Sequence, residues 1–272
     1  MKPKASRYAL EALAVLLSLL VVVPLLFILV NSFKDKAGAA RMTLALPDKW
    51  FVMENYAEMI RVGGVMTGLQ NSAIVTFLSV ALIVVLSAMM AFTLQRKGTR
   101  TSGLLYLLLL LGLMIPLQII PAYFLTFYLN IKTYSAAILM LTVTNLSFGT
   151  FLYSGFYKSI PREIDESAIM DGVGPFRLFF RIIFPLIKPV TVTLVIISFM
   201  GVWNDFGITI YFLNSPSNYT VTLTIFNFLG TYSSEWHLIF ANVVLVSAPV
   251  VLLYLVLQRY IIDGMTAGSV KG

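Results

Sequence analysis

Long apolar stretches alternate with short polar connections along this chain. Six of the stretches stay almost free of charge for about 20 residues, the length of α-helix that crosses the hydrocarbon of a bilayer. They lie at about residues 10–33, 73–94, 104–126, 135–157, 189–212 and 237–260. The pattern predicts an all-α polytopic membrane protein with six transmembrane helices in a single transmembrane domain, residues 1–272.

The first stretch also has features of a cleaved signal peptide, because three basic residues precede it and Ala37-Gly38-Ala39 looks like a cleavage site. Its uncharged run from Ala12 to Phe33 is longer than the roughly 7–15 apolar residues of a signal peptide. Lys34-Asp35-Lys36 also separates the run from that site. We therefore expect the stretch to be retained as a span.

Composition and charge narrow the class of protein. Charged residues make up 11% of the chain, where a soluble domain has about 25%. So few charges cannot cover a soluble surface, and an apolar content of 59% excludes a disordered chain. The basic residues lie between apolar runs and form no dense patch, so no nucleic-acid partner is predicted. The absence of cysteine excludes disulfides and cysteine-bound metals.

The basic residues also indicate the orientation of the chain. If successive spans alternate in direction, thirteen Lys and Arg fall on the side of the two termini and six on the other side. Because cytoplasmic loops carry the excess of basic residues, both termini are predicted to be cytoplasmic. An even number of spans agrees with this orientation.

The connection between the fourth and fifth spans, residues 158–188, is patterned like two helices. An acidic helix is predicted to start at Pro161 and to end near Gly172. Pro175 then starts a second helix, with an apolar stripe of Leu178, Phe179, Ile182 and Ile183. Periodicity alone leaves two interpretations open: a cytoplasmic surface for a partner, or an interfacial hairpin that packs on its own bundle.

At this connection the sequence resembles a known family. Glu166-Ser167-Ala168, then Gly172, then Ile182-Ile183-Phe184-Pro185 is similar to the "EAA" loop of ABC-importer permeases. Ser167 stands where the pattern has Ala and Phe184 where it has Leu, while the spacing is kept throughout. Asn31-Ser32-Phe33-Lys34 and Trp203-Asn204-Asp205-Phe206 resemble segments of the carbohydrate permeases, and residues 264–272 resemble the tail of the six-span, MalG-type maltose permease component.

The resemblance implies a type I ABC importer (MetI-like) permease fold in the bacterial inner (plasma) membrane. The expected function is that of a permease subunit of an ATP-driven, binding-protein-dependent importer of a mono- or oligosaccharide, which forms half of the translocation pathway. Its expected partners are a homologous permease subunit, an ATPase dimer, an extracytoplasmic solute-binding protein and membrane lipid. No cofactor is expected in this chain, which has no Gly-x-x-x-x-Gly-Lys-Ser/Thr segment; ATP and Mg²⁺ belong on the partner ATPase.

The resemblance also implies site residues in the loop 161–185, where a coupling helix contacts the ATPase. The candidates are Glu166, Ser167, Ala168, Asp171, Gly172 and Pro185. Glu166 and Asp171 would supply charge-assisted contacts, Ala168 would allow close approach, and Gly172 would form the turn. The cytoplasmic tail, residues 264–272, either lies against the ATPase pair or is a frayed terminus.

A second set of candidates concerns the substrate path. Asn204 and Asp205 lie towards the outer end of the fifth span, where they either line the path or reach into the outer interface. Tyr211, Asn145 and Gln118 either contact sugar hydroxyls or bridge helices. His237 is interpreted as an interfacial residue, and no metal or catalytic site is predicted.

Two other classes of function were weighed against the resemblance. A secondary transporter or a channel usually carries several charged residues within its spans, and here Asp205 is nearly alone. An enzyme needs an acid, base, nucleophile or metal cluster, which the pattern does not provide.

Overall fold

A computed structural model describes residues 4–230 and 234–269, with the backbone alone for residues 4–7, 9 and 257–269. Helices account for nearly all of the regular structure of these residues, and one isolated antiparallel bridge joins Leu229 to Ser234. The all-α fold predicted from the apolar pattern is therefore confirmed.

The helices follow the chain in this order: α1 Lys4–Ser32, α2 Lys36–Ala40, α3 Val52–Val62, α4 Val65–Lys97, α5 Arg100–Met114, α6 Ile119–Tyr128, α7 Thr133–Tyr157, α8 Glu163–Met170, α9 Pro175–Arg177, a π-helix Leu178–Ile183, α10 Phe184–Leu186, α11 Lys188–Trp203, α12 Thr209–Phe212, a 3₁₀-helix Leu223–Phe228, and α13 Trp236–Ser269.

Among the described residues, four helices are long and apolar enough to cross a membrane: Leu10–Ser32 within α1, all of α4, all of α7, and Trp236–Val256 within α13. Two bent pairs raise the number to six if each pair is one span. α5 and α6 meet at 118°, and the Pro175–Leu186 segment meets α11 at 81°.

Prolines explain where these two bends fall. Pro116 follows Ile115, which has an extended ψ of 115°, because a residue before proline avoids the helical region. The predicted third span is therefore two helices rather than one. Pro185 and Pro189 flank the second bend, and α11 ends at Trp203 although the apolar pattern runs on to residue 212.

The chain divides into two compact units, and the first contains Met1–Leu69 and Val221–Pro249. In this unit, buried polar side chains fasten the end of α1 to the segment that follows. Lys34 Nζ donates to Asn31 Oδ1 at 3.0 Å and to the Thr43 carbonyl at 2.6 Å, and Asn55 Nδ2 donates to the Lys34 carbonyl at 2.8 Å. Burial lowers the pKa of Lys34, which lies outside the spans.

The second unit contains Gln70–Thr220 and Val250–Gly272, and small residues bring its helices close together. A Cβ on Gly149 of α7 would lie 2.6 Å from Ser87 Oγ of α4 and 3.2 Å from Leu194 of α11. A Cβ on Gly112 of α5 would lie 2.7 Å from Ser147 Oγ of α7. Helices that approach this closely rely on the absence of a side chain at the contact.

Candidate functional site

α8 begins in the loop predicted to contact a partner. The Arg162 carbonyl accepts hydrogen bonds from the backbone N–H of Asp165 at 2.9 Å and of Glu166 at 3.1 Å. Three acidic residues lie in the first turn, where the positive end of the helix dipole stabilises negative charge: Glu163, Asp165 and Glu166. The acidic sequence at this position therefore favours helix formation.

The end of α8 is a Schellman motif centred on Gly172. The N–H of Val173 donates to the Ala168 carbonyl at 3.0 Å, and the N–H of Gly172 donates to the Ile169 carbonyl at 2.9 Å. Gly172 has a φ of +75°, in the left-handed region that a residue without a Cβ adopts at low cost. The motif turns the chain sharply between α8 and α9.

The predicted site residues of this loop divide between two faces of α8. Glu166 and Ser167 are exposed, and so are Asp171, Gly172 and Pro185 beyond the helix. Ala168 is buried, so the close approach that its small side chain permits is made to its own chain. The structure therefore brings an acidic surface to the outside and sets Ala168 apart from it.

The second half of the loop carries the predicted apolar stripe, but as a π-helix rather than a continuous α-helix. Leu178, Phe179 and Ile183 are buried. Phe179 packs against Phe92 of α4 with ring centroids 5.7 Å apart. The basic side chains of this half, Arg177 and Arg181, are exposed. Part of the loop thus packs on its own bundle, while α8 keeps an exposed acidic face.

An ion pair that the sequence did not reveal joins α8 to the end of α4. Arg96 Nε lies 2.5 Å from Asp165 Oδ2, and the two side chains are only 15% and 11% exposed. Arg96 Nη1 also donates to the Ile160 carbonyl at 3.2 Å. In the reverse direction, Arg162 Nη2 donates to the Gln95 carbonyl at 3.2 Å. We call these three contacts the clasp.

A second feature missed by the sequence is apolar. Met170, at the end of α8, is 87% exposed, and Ile169 and Phe176 are also exposed. Ile169 and Met170 come directly before the exposed Asp171 in the sequence. The available signal was helical spacing: Met170 lies two residues after the buried Ala168, which places it on another side of α8.

Asn204 and Asp205, the leading substrate-path candidates, lie in the break after α11. Asp205 Oδ1 accepts hydrogen bonds from the backbone N–H of Ile208 at 3.0 Å and of Thr209 at 2.9 Å. Asn204 is exposed, and its side chain donates to the Met200 carbonyl at 3.0 Å. Asp205 therefore organises the start of α12, whatever its part in transport.

The other three path candidates are spread over separate elements of the second unit. Tyr211 is exposed on α12, which contacts α6 and α7. Gln118 is exposed at the start of α6. Asn145 lies in the middle of α7 and donates to the Leu141 carbonyl of its own helix at 2.8 Å. The three residues therefore lie on three different elements, and the hydrogen bond of Asn145 to Leu141 stays within its own helix.

Membrane-length helices, with an acidic loop helix clasped to one of them, define a multi-pass membrane protein. The chain belongs to the family described as binding-protein-dependent transport system inner membrane component, which residues 83–267 match. It is therefore an inner-membrane permease subunit of an ABC importer, and the ATPase of such a system is a separate subunit.

Curated relatives match over nearly the full length. The chain is 34% identical to a probable starch degradation products transport system permease protein, AmyC, of Thermoanaerobacterium thermosulfurigenes, over 99% of both chains. It is 32% identical to the melibiose/raffinose/stachyose import permease protein MelC of Bacillus subtilis, over 92% of this chain and 91% of that one.

A solved structure shows the same fold. It is a bacterial ABC transporter involved in the import of the acidic polysaccharide alginate, and one of its chains matches with a TM-score of 0.81. The match covers 96% of this chain and 99% of that chain, at 18% sequence identity. The permease fold expected from the resemblance is thereby confirmed. The inner-membrane location is confirmed by the family match.

Proposed function

We propose that this chain is the permease subunit of an ATP-driven importer of an oligosaccharide. The observation that carries the proposal is the likeness over nearly the whole chain to permeases named for starch degradation products and for melibiose, raffinose and stachyose. It extends to a multiple sugar-binding transport system permease protein, MsmG, of Streptococcus mutans, at 30% identity over 93% of each chain.

The proposed contact with the ATPase is the exposed face of α8 and the turn after it. Glu166 and Asp171 supply carboxylates that pair with basic side chains of the ATPase, and Met170 supplies an apolar knob. An apolar side chain surrounded by polar residues is the usual composition of a protein interface. ATP and Mg²⁺ bind to the ATPase dimer, and closure of that dimer moves α8.

The remaining partners complete the importer. A homologous permease subunit supplies the other half of the path, and an extracytoplasmic solute-binding protein delivers the sugar. In this chain, Asn204, Asp205, Tyr211, Asn145 and Gln118 are the candidates for the path. Support for Asn204 and Asp205 comes from their position in a break between two helices, where irregular backbone within a span lines a cavity or is covered by protein.

The deciding experiment reconstitutes the chain with its partners in liposomes and measures sugar uptake and ATP hydrolysis stimulated by the binding protein. Glu166→Ala should insert normally and lose at least 90% of the stimulated hydrolysis, a tenfold effect of about 1.4 kcal/mol. Glu54→Ala, which removes an exposed carboxylate from α3, is the matched control and should behave as wild type.

If the chain is a secondary transporter, the opposite result is expected in the same assay. Substitution of the phosphate-binding lysine of the partner ATPase should abolish uptake if this chain is an importer subunit. Uptake that survives this substitution would show that the chain transports without ATP, and the proposed function would be wrong.

A further inference from the structure

α4 is fastened near both ends, to the loop helix α8 and to the connection that follows α12. Near its last turn, Arg96 takes part in the clasp with Asp165 of α8. Near its start, the buried Asn71 donates from Nδ2 to the Ser217 carbonyl at 3.2 Å and to the Tyr219 carbonyl at 2.9 Å. The two acceptors belong to the connection that follows α12, so one helix contacts both the loop helix and this connection.

The helix between these two contacts has no flexible point. Residues 71–96 contain neither glycine nor proline and are helical throughout. Twenty-five residues at 1.5 Å each separate Asn71 from Arg96, which is about 38 Å. That distance exceeds the hydrocarbon thickness of about 30 Å, so the two contacts lie at opposite faces of the membrane.

Aromatic contacts along α4 hold it against the π-helix of the loop and against α11. Phe92 packs on Phe179 of the π-helix at 5.7 Å between ring centroids. Phe77 packs edge-on against Phe199 of α11 at 6.2 Å. α4 therefore contacts both sides of the bend between the loop and α11, which allows it to follow the loop as one body.

We propose that α4 is a strut that transmits movement of α8 to the outer connection at residues 213–220, with Arg96 and Asn71 as positioning residues at its ends. The inference rests on the proposed function, because it takes α8 as the contact with the ATPase. When α8 moves, the clasp carries α4 with it. Asn71 then shifts the backbone of Ser217 and Tyr219 on the side that faces the solute-binding protein.

A strut differs from two local contacts that only stabilise the fold. If each contact acts alone, the losses caused by breaking them multiply in the double variant. If both belong to one line of transmission, breaking either one interrupts it, and breaking the second adds little. The double variant therefore separates the two cases.

The experiment uses the absence of cysteine from the chain, which allows one reporter cysteine without background. Asn214→Cys places it at an exposed position three residues before Ser217. The complete complex is reconstituted in nanodiscs, and the rate of labelling by a water-soluble maleimide is measured with and without ATP and Mg²⁺. Co-purification of the ATPase is recorded for every variant.

ATP should change the labelling rate in the wild-type background. Arg96→Gln and Asn71→Ala should each reduce this ATP-dependent change about fivefold or more, the lower end of ordinary allosteric coupling. Lys97→Gln and Gln70→Ala are matched controls, since they alter exposed neighbours in the same turns, and they should keep the full change. The double variant should lose no more of the ATP-dependent change than the more impaired of the two single variants.

Arg96→Lys keeps the positive charge but lacks the planar guanidinium with its several N–H donors. It should therefore retain more of the ATP-dependent change in labelling rate than Arg96→Gln does. If Arg96→Gln does not assemble, Asp165→Asn breaks the same ion pair from α8 and should give the same result. Three results would overturn the strut. The losses could multiply in the double variant, or either single variant could keep the full ATP-dependent change in labelling rate. The wild-type complex could also bind its ATPase and show no ATP-dependent change. A wild-type chain that binds no ATPase would instead contradict the proposed function.

Discussion

Most of α4, from residue 70 onward, and the segment from residue 163 to residue 212 belong to the same unit of the chain but are built in opposite ways. α4 is one helix of 33 residues. The later segment is divided into α8, α9, the π-helix, α10, α11 and α12. The later segment contains three prolines and four glycines, whereas α4 has a single glycine near its start and no proline.

The difference separates a part that transmits force from a part that changes direction. An unbroken helix keeps its two ends at a fixed distance, so a displacement at one end appears at the other. A segment with an 81° bend and a Schellman turn can reorient at those joints. The two segments contact each other, and substitutions in and around each of them test this comparison.

The largest loss is expected where α7 meets α4. Gly149→Val places a side chain where even a Cβ would lie 2.6 Å from Ser87 Oγ and 2.8 Å from Ser87 Cβ. Overpacking of this kind costs about 1–3 kcal/mol, so the thermal midpoint of the chain in detergent should fall clearly. Size-exclusion chromatography after heating provides the measurement.

Gly155→Val is the matched control for this prediction, because among the described residues no atom lies within 4 Å of a Cβ at that position of the same helix. Its midpoint should stay close to that of the wild type. Equal losses in the two variants would mean that helix propensity, and not the contact with α4, sets the stability.

The next effect is expected at the joint after α8. Gly172→Ala forces a residue with a Cβ into a φ of +75°, which costs about 1–2 kcal/mol. The joint should loosen, and the ATPase activity stimulated by the binding protein should fall. Gly174→Ala is the control, since Gly174 has an ordinary φ of −69° and its substitution should leave the activity unchanged.

A smaller effect is expected at the break after α11. Asp205→Ala removes the acceptor of two backbone N–H groups, a loss of about 1 kcal/mol for a capping side chain. Asp205→Asn keeps an oxygen acceptor but removes the charge. If transport falls in the Asn variant while its thermal midpoint is retained, the charge serves the substrate path; if only the Ala variant is impaired, Asp205 serves as a cap.

The smallest change in stability is expected at Met170. Its side chain is 87% exposed, so Met170→Ala should change the free energy of unfolding by less than about 0.5 kcal/mol. Affinity for the ATPase should nevertheless fall, because a partner would bury this side chain. Surface plasmon resonance with the purified ATPase measures the affinity, and an unchanged value would remove Met170 from the proposed interface.

The fold class was predictable because lipid imposes a simple rule, namely that each span needs about 20 apolar residues. Positions of helix ends were less predictable. The apolar pattern continues past Trp203 to Phe212, yet the helix stops at Trp203 and Asp205 caps the next one. Hydrophobicity reports what lies in the membrane and does not report where backbone hydrogen bonds are interrupted.

The loop helix was predictable from its own residues, but its attachment was not. Glu166, Gly172 and Pro185 follow a local pattern whose spacing reads directly from the sequence. Arg96 and Asp165 are 69 residues apart and meet only after folding. From the sequence, Arg96 counted only as one of the basic residues that set the orientation.

α1 has a consequence for how the protein is made. Residues 10–26 are exposed along their whole length on the isolated chain, so no buried contact of that stretch depends on segments translated later. A ribosome that has produced only this helix has already produced a complete lipid-soluble element. α1 can therefore enter the bilayer before the spans that follow it exist, and it anchors the nascent chain while they are made.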